Sequence, residues 1–126
     1  MRKFFFTLTL ALAVAINILA GEHITVIISL DGCRWDYPSL YNTPFLDQLG
    51  SQGVQAVMQP SYPSSTFPNH YTLATGLVPD HHGIIGNRFY DKRTKTYFAI
   101  GKNQNDPLFW GGDPIWLTAK RQGKRV

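Results

Sequence analysis

Two residues stand where chemistry is expected. Asp31, followed by Gly32, closes the β-branched apolar run Ile24 to Leu30, and Thr66 stands at the end of the proline- and hydroxyl-rich stretch Pro60 to Pro68. A carboxylate at the carboxyl end of a strand can bind a cation, and a hydroxyl at a helix N-terminus lies beside backbone N–H groups that attract phosphate. The pairing points to phosphate or metal chemistry. The plainer alternatives are a turn or cap aspartate before Gly32 and a threonine that only caps its helix.

The elements around them set the expected positions. Ile24 to Leu30 has almost no polar interruption, which predicts a strand covered on both faces in a parallel sheet, and Val54 to Met58 is a second, shorter strand candidate. Thr43 and Pro44 read as an N-cap and first helical residue ahead of Phe45, Leu46 and Leu49, with Gly50 or Gly53 as the stop. Pro68 suits a first helical turn, Asn69 to Leu77 continue it, and Gly76 marks its end, so Thr66 falls at or just before a helix N-terminus. Arg88 to Tyr90 and Thr96 to Ile100 flank the polar loop Asp91 to Lys95 as a hairpin, and Pro114 to about Gln122 predicts a last helix. Strand and helix alternate, so the fold class is α/β, with sites beyond the carboxyl ends of the strands.

Composition narrows the function. The chain has 126 residues, 44% of them apolar, 13% aromatic and 16% charged, which suits one modest folded domain rather than a disordered chain. The formal charge of +4 includes Arg2 and Lys3 ahead of an apolar stretch, and four of the other cations crowd the last seven residues as Lys120, Arg121, Lys124 and Arg125. No broad basic face is left, so no nucleic-acid partner is expected. Residues 1–20 read as a signal peptide: a basic start, an apolar stretch to Leu19, then small residues at Ala20 and Gly21, where cleavage is expected. That predicts an exported protein, periplasmic or secreted, with no stable membrane association after cleavage. An uncleaved N-terminal membrane anchor is the alternative. The single cysteine, Cys33, can form no internal disulfide and reads as a small apolar filler at a strand end.

Three ordered strings add more. Asp31-Gly32-Cys33-Arg34-Trp35-Asp36-Tyr37, Thr66-Phe67-Pro68-Asn69-His70-Tyr71-Thr72-Leu73-Ala74-Thr75-Gly76-Leu77 and His82-Gly83-Ile84-Ile85-Gly86-Asn87 resemble the type I phosphodiesterase/nucleotide pyrophosphatase family, a branch of the alkaline phosphatase superfamily. The resemblance runs from about Ile24 to Gly123. It implies the N-terminal part of an alkaline-phosphatase-like sandwich, with a mostly parallel central sheet flanked by helices, so residues 21–126 are expected to be an incomplete N-terminal portion of a catalytic domain. By the same resemblance Asp31 is a metal ligand, Thr66 is both nucleophile and metal ligand, Asn87 binds a phosphoryl oxygen, and Phe67 contacts the substrate.

The cofactor implied is two zinc ions, whose remaining ligands in the family come from farther along a catalytic domain several times longer. The activity implied is hydrolysis of phosphodiester or pyrophosphate bonds in nucleotides or related small molecules through a covalent threonyl intermediate. Coordination suits a threonine, whose hydroxyl is otherwise a poor nucleophile. Two other readings stay open: a related phosphomonoesterase or phospholipid-headgroup phosphodiesterase, and a non-catalytic exported fragment with at most weak phosphate or nucleotide binding.

The remaining motif residues have structural readings. His70 is expected to hydrogen-bond beside the site, His82 to fix its loop, and His81 to be exposed, while His23 lies near the mature N-terminus. Arg34, Asp36 and Tyr37 are expected to orient the loop that bears Asp31. Trp116 reads as core, and Tyr62, Tyr71, Phe89 and Tyr90 as core or pocket aromatics.

Overall fold

The aromatic residues between Phe67 and Trp110 make the core of the computed structural model, which describes residues 24–126. The expected signal peptide over 1–20, and His23, lie outside the described residues. In chain order come α1 (Tyr37–Leu40), α2 (Pro44–Gln52), α3 (Thr66–Thr75), α4 (Pro79–His82), β1 (Arg88–Asp91), β2 (Thr96–Ala99), a 3-10 turn (Pro107–Phe109) and α5 (Ile115–Arg121).

Local chemistry explains where α3 starts and stops. Ser65 has extended backbone, with φ −107° and ψ 158°, so the chain turns into the helix at Thr66. Pro68 falls in the first turn, where no N–H is needed for the helical ladder. Gly76 ends the helix in the left-handed region at φ 71°, and its N–H donates to the Thr72 carbonyl at 2.8 Å. β1 pairs antiparallel with β2, setting Phe89 opposite Phe98. Asp91 closes the connecting loop by accepting the N–H groups of Arg93 at 2.7 Å and Thr94 at 3.4 Å.

Helix α3 lays Phe67, Tyr71 and Ala74, spaced four and three residues apart on one face, against this hairpin. Ile84, Phe98 and Phe109 are fully enclosed. The rings of Phe89 and Phe98 stack with centroids 5.0 Å apart, and Tyr71 meets Trp110 edge-on at 4.6 Å. Each such pair contributes about 0.5–1.5 kcal/mol beyond the area it buries.

The mixture of helix and sheet agrees with an α/β class, but the expected parallel sheet has no counterpart among the described residues. The only ladder there is the antiparallel hairpin. Ile24 to Leu30 and Val54 to Met58 form no strand. Their β-branched composition supplies propensity without a partner, and a strand exists only as a pairing. Ile24 is 89% exposed and Val54 98%. For the same reason Cys33 is exposed rather than packed. Trp116 also departs from expectation: it stands 52% exposed on α5, outside the aromatic cluster.

Candidate functional site

The N-terminus of α3 gathers the residues that the sequence singled out. Thr66 is its first residue, and the Thr66 hydroxyl donates to Asp31 Oδ2 at 3.4 Å across 35 positions of sequence. His70 stands one turn farther along the same helix face. Its Nε2 lies 3.8 Å from Asp31 Oδ1, and its Nδ1 lies 2.6 Å from Ser29 Oγ. The carboxylate therefore sits between a hydroxyl and an imidazole, one on each oxygen. Asp31 itself is well exposed, open to an incoming ligand.

Asn87 reaches the same place from the other side. Its Oδ1 accepts the backbone N–H of Phe67 at 3.0 Å. This bond takes one of the amide groups that α3 leaves unpaired at its start, and it fixes the side chain with the oxygen toward the helix. The Nδ2 group then has no protein partner among the described residues and is free to donate outward. Phe67, next to the nucleophile candidate, is half-buried, its ring 6.0 Å from that of Phe98 and 5.9 Å from that of Trp110.

Hydroxyl and carboxylate oxygens suit a hard or borderline cation, and imidazole suits zinc. Asp31, Thr66 and His70 thus offer a donor set compatible with zinc, short of the roughly four ligands that zinc takes. Among the described residues no group of three or more His, Cys, Asp or Glu side chains is clustered as a metal cage.

The supporting residues follow the expectations for the loops. Arg34 forms an ion pair with Asp36 and stands 5.9 Å over the Tyr37 ring, which stiffens the turn after Asp31 without touching it. The Arg34 guanidinium beside Asp36 holds that carboxyl below its usual range. His82 is fully buried; its Nδ1 accepts the Ile84 N–H at 3.1 Å, so it does fix its loop. Burial pushes its imidazole below the ordinary histidine range, and the carbonyls of Pro68 and His82 and the charge of Asp80 oppose this only in part. His81 is exposed. Of the aromatics, Tyr71 and Phe89 belong to the core, whereas Tyr62 is 93% exposed and Tyr90 half exposed.

One residue carries more than its sequence suggested. Asn69 accepts from the Ser61 N–H at 2.8 Å and the Ser61 hydroxyl at 3.0 Å, and it donates to the carbonyls of Pro63 at 2.9 Å and Ser65 at 3.0 Å. It ties the whole loop before Thr66 to α3. The signal was available: asparagine is a poor helix-interior residue, because its side chain competes for backbone groups.

Comparison with known proteins bears directly on this site. Residues 25–126 match the family model for type I phosphodiesterase/nucleotide pyrophosphatase. The chain is 43% identical over 105 residues to ectonucleotide pyrophosphatase/phosphodiesterase family member 3 of Bos taurus, covering 80% of this chain and 12% of that protein. It is 42% identical over 103 residues to family member 1 of Homo sapiens, covering 79% of this chain and 11% of that protein. It is 44% identical over 104 residues to the uncharacterized pyrophosphatase/phosphodiesterase C725.05c of Schizosaccharomyces pombe, where the shares are 79% and 21%. The chain thus spans between about a tenth and a fifth of the length of these relatives. With its family match covering four-fifths of its residues and running through Asp31, Thr66 and Asn87, the chain belongs to the type I phosphodiesterase/nucleotide pyrophosphatase family.

Proposed function

We propose that the protein carrying this sequence hydrolyses phosphodiester or pyrophosphate bonds in nucleotides or related small molecules, with Thr66 as nucleophile. One observation carries the reading: the Thr66 hydroxyl, the Asp31 carboxylate and the Asn87 amide converge at the start of one helix from three separate segments of chain. The names of the relatives, which describe pyrophosphatases and phosphodiesterases, support the same reaction class.

In this reading Thr66 Oγ attacks phosphorus, an O–P bond to Thr66 forms as the leaving-group O–P bond breaks, and water then releases the covalent intermediate from the opposite side. Asp31 holds the hydroxyl at its Oδ2, which fixes the direction of attack. Asn87, held by its oxygen on the Phe67 N–H, donates from Nδ2 to an equatorial phosphoryl oxygen. A neutral donor suits a diester, which bears less charge than a monoester. Phe67 presents the unburied part of its ring to the leaving-group portion of the substrate.

Asp31 and Thr66 would hold one zinc of a two-zinc centre, with His70 beside them. When bound, zinc supplies Lewis-acid stabilisation of oxygen charge and favours the alkoxide of a coordinated hydroxyl. The run Ile24 to Leu30 takes its place, in this reading, as a strand of a mostly parallel central sheet. An exported protein fits relatives described as ectonucleotide enzymes, and the substrate is a small-molecule nucleotide or similar diester.

The test is turnover of a nitrophenyl nucleotide diester by the protein carrying this sequence, with zinc present. Thr66→Ala is expected to lower kcat on the order of a millionfold, in line with the loss of a serine nucleophile. Turnover equal to that of the unaltered protein would show that Thr66 is not the nucleophile.

A further inference from the structure

His82 is buried and polar, and its hydrogen bonds lead back to the reacting groups. Its Nδ1 accepts the Ile84 N–H at 3.1 Å. A neutral imidazole has one acceptor and one donor nitrogen, so Nε2 carries the hydrogen, with Thr72 Oγ1 3.1 Å away as its acceptor and the Pro68 carbonyl beside it. The direction of every later link follows. Asn69 Oδ1 can only accept, so the Ser61 hydroxyl donates to it at 3.0 Å. Ser61 Oγ must then accept from the Thr72 hydroxyl, the longest link at 3.4 Å. Asn69 finally donates to the carbonyls of Pro63 and Ser65, in the loop that leads into Thr66.

We propose that His82 is a positioning residue: its Nε2–H, acting through Thr72, Ser61 and Asn69, anchors the loop before Thr66 and so sets Thr66 in register with Asn87. The two ends of the loop–helix unit are thereby tied to one segment of chain. His82 stands at the end of α4, five residues before Asn87, and its carbonyl accepts the Gly111 N–H at 2.8 Å, which holds that segment to the chain after Phe109. A break anywhere along the chain of hydroxyls frees residues 61–65 and loosens the Phe67 N–H on Asn87. The inference rests on the reading of Thr66 and Asn87 as partners in the site, but its readout does not depend on turnover.

The experiment is amide hydrogen exchange by NMR on the full chain, with Thr72→Val and Thr72→Ser as a matched pair. Valine keeps the shape and removes the hydroxyl; serine restores the hydroxyl. Exchange of the Phe67 N–H is expected to speed up roughly fivefold in Thr72→Val, about the effect of one lost hydrogen bond, and to return to its original rate in Thr72→Ser. Should Thr72→Val fail to fold, Ser61→Ala cuts the same chain one link farther on and is read at the same amide. An unchanged Phe67 rate in either folded variant overturns the proposal. So does a nitrogen spectrum placing the His82 hydrogen on Nδ1 at neutral pH. Absence of turnover in the unaltered protein would count against the catalytic reading alone.

Discussion

At the scale of single residues, His82 links protonation to folding. Its Nδ1 faces the Ile84 N–H, so a second proton would set donor against donor in a site without water access. Burial accordingly holds its folded pKa below the usual ~6.5 of an unfolded histidine. Between those two values the unfolded chain binds a proton that the folded chain refuses, so stability falls as pH falls. Thermal unfolding is expected to move to lower temperature as pH drops from 7 toward 5, and His82→Gln is expected to flatten that dependence. A slope unchanged by the substitution would assign it elsewhere. Asp36 acts in a separate, more acid window: its depressed folded pKa gives stability that is present above the usual carboxylate range of about 4 and lost as pH falls through the folded value. Legibility at this scale was uneven. Asp31, Thr66 and Asn87 stood in motifs whose spacing survives any packing, and they meet at one helix end. Asn69, next to His70 in the same string, is less legible because its work is done largely on backbone groups that a sequence does not place.

At the scale of elements, glycines with left-handed backbone separate strain from contact. Gly76 and Gly83 both end helices, at φ 71° and 84°. A Cβ on Gly76 would meet nothing within 4 Å, whereas one on Gly83 would come 2.9 Å from the Phe109 carbonyl oxygen. Gly76→Ala is therefore expected to cost about 1–2 kcal/mol, the conformational penalty alone. Gly83→Ala adds displacement of a backbone carbonyl next to the buried Phe109 ring and is expected to cost about 2–5 kcal/mol. Urea unfolding of the two variants checks the order; equal losses would mean that the loop at Phe109 yields freely. These punctuation residues also explain which elements could be read in advance. Pro44, Gly53, Pro68 and Gly76 bound their helices by local backbone rules, and α2 and α3 form where those residues direct. The hairpin around Asp91 to Lys95 was legible for the same reason. The runs Ile24 to Leu30 and Val54 to Met58 carry strong propensity, but pairing is decided by other segments, and no local pattern supplies those.

At the scale of the molecule, stability and site are unevenly shared. Among the described residues every buried one lies between Pro68 and Phe109, and none from 24 to 58 is buried. The side-chain hydrogen bonds joining residues 24–58 to the rest, among those described, come from Ser29 to His70 and from Thr66 to Asp31. A segment with few buried apolar contacts opens at low free energy. Hydrogen exchange by mass spectrometry is expected to find slow amides around Ile84, Phe98 and Phe109 and fast ones through residues 24–58. Those few tethers converge on the proposed zinc donors, so a cation held by Asp31 and Thr66 would join the loosely held segment to the core at the site itself. A ligand that binds only the joined form stabilises it in proportion to its concentration over its dissociation constant. Zinc is therefore expected to slow exchange in peptides containing Asp31 and Thr66 while leaving the β1–β2 hairpin, already buried at Phe98, at its original rate. Uniform slowing across the chain would indicate binding elsewhere, and no slowing at Asp31 would remove that carboxylate from the metal site.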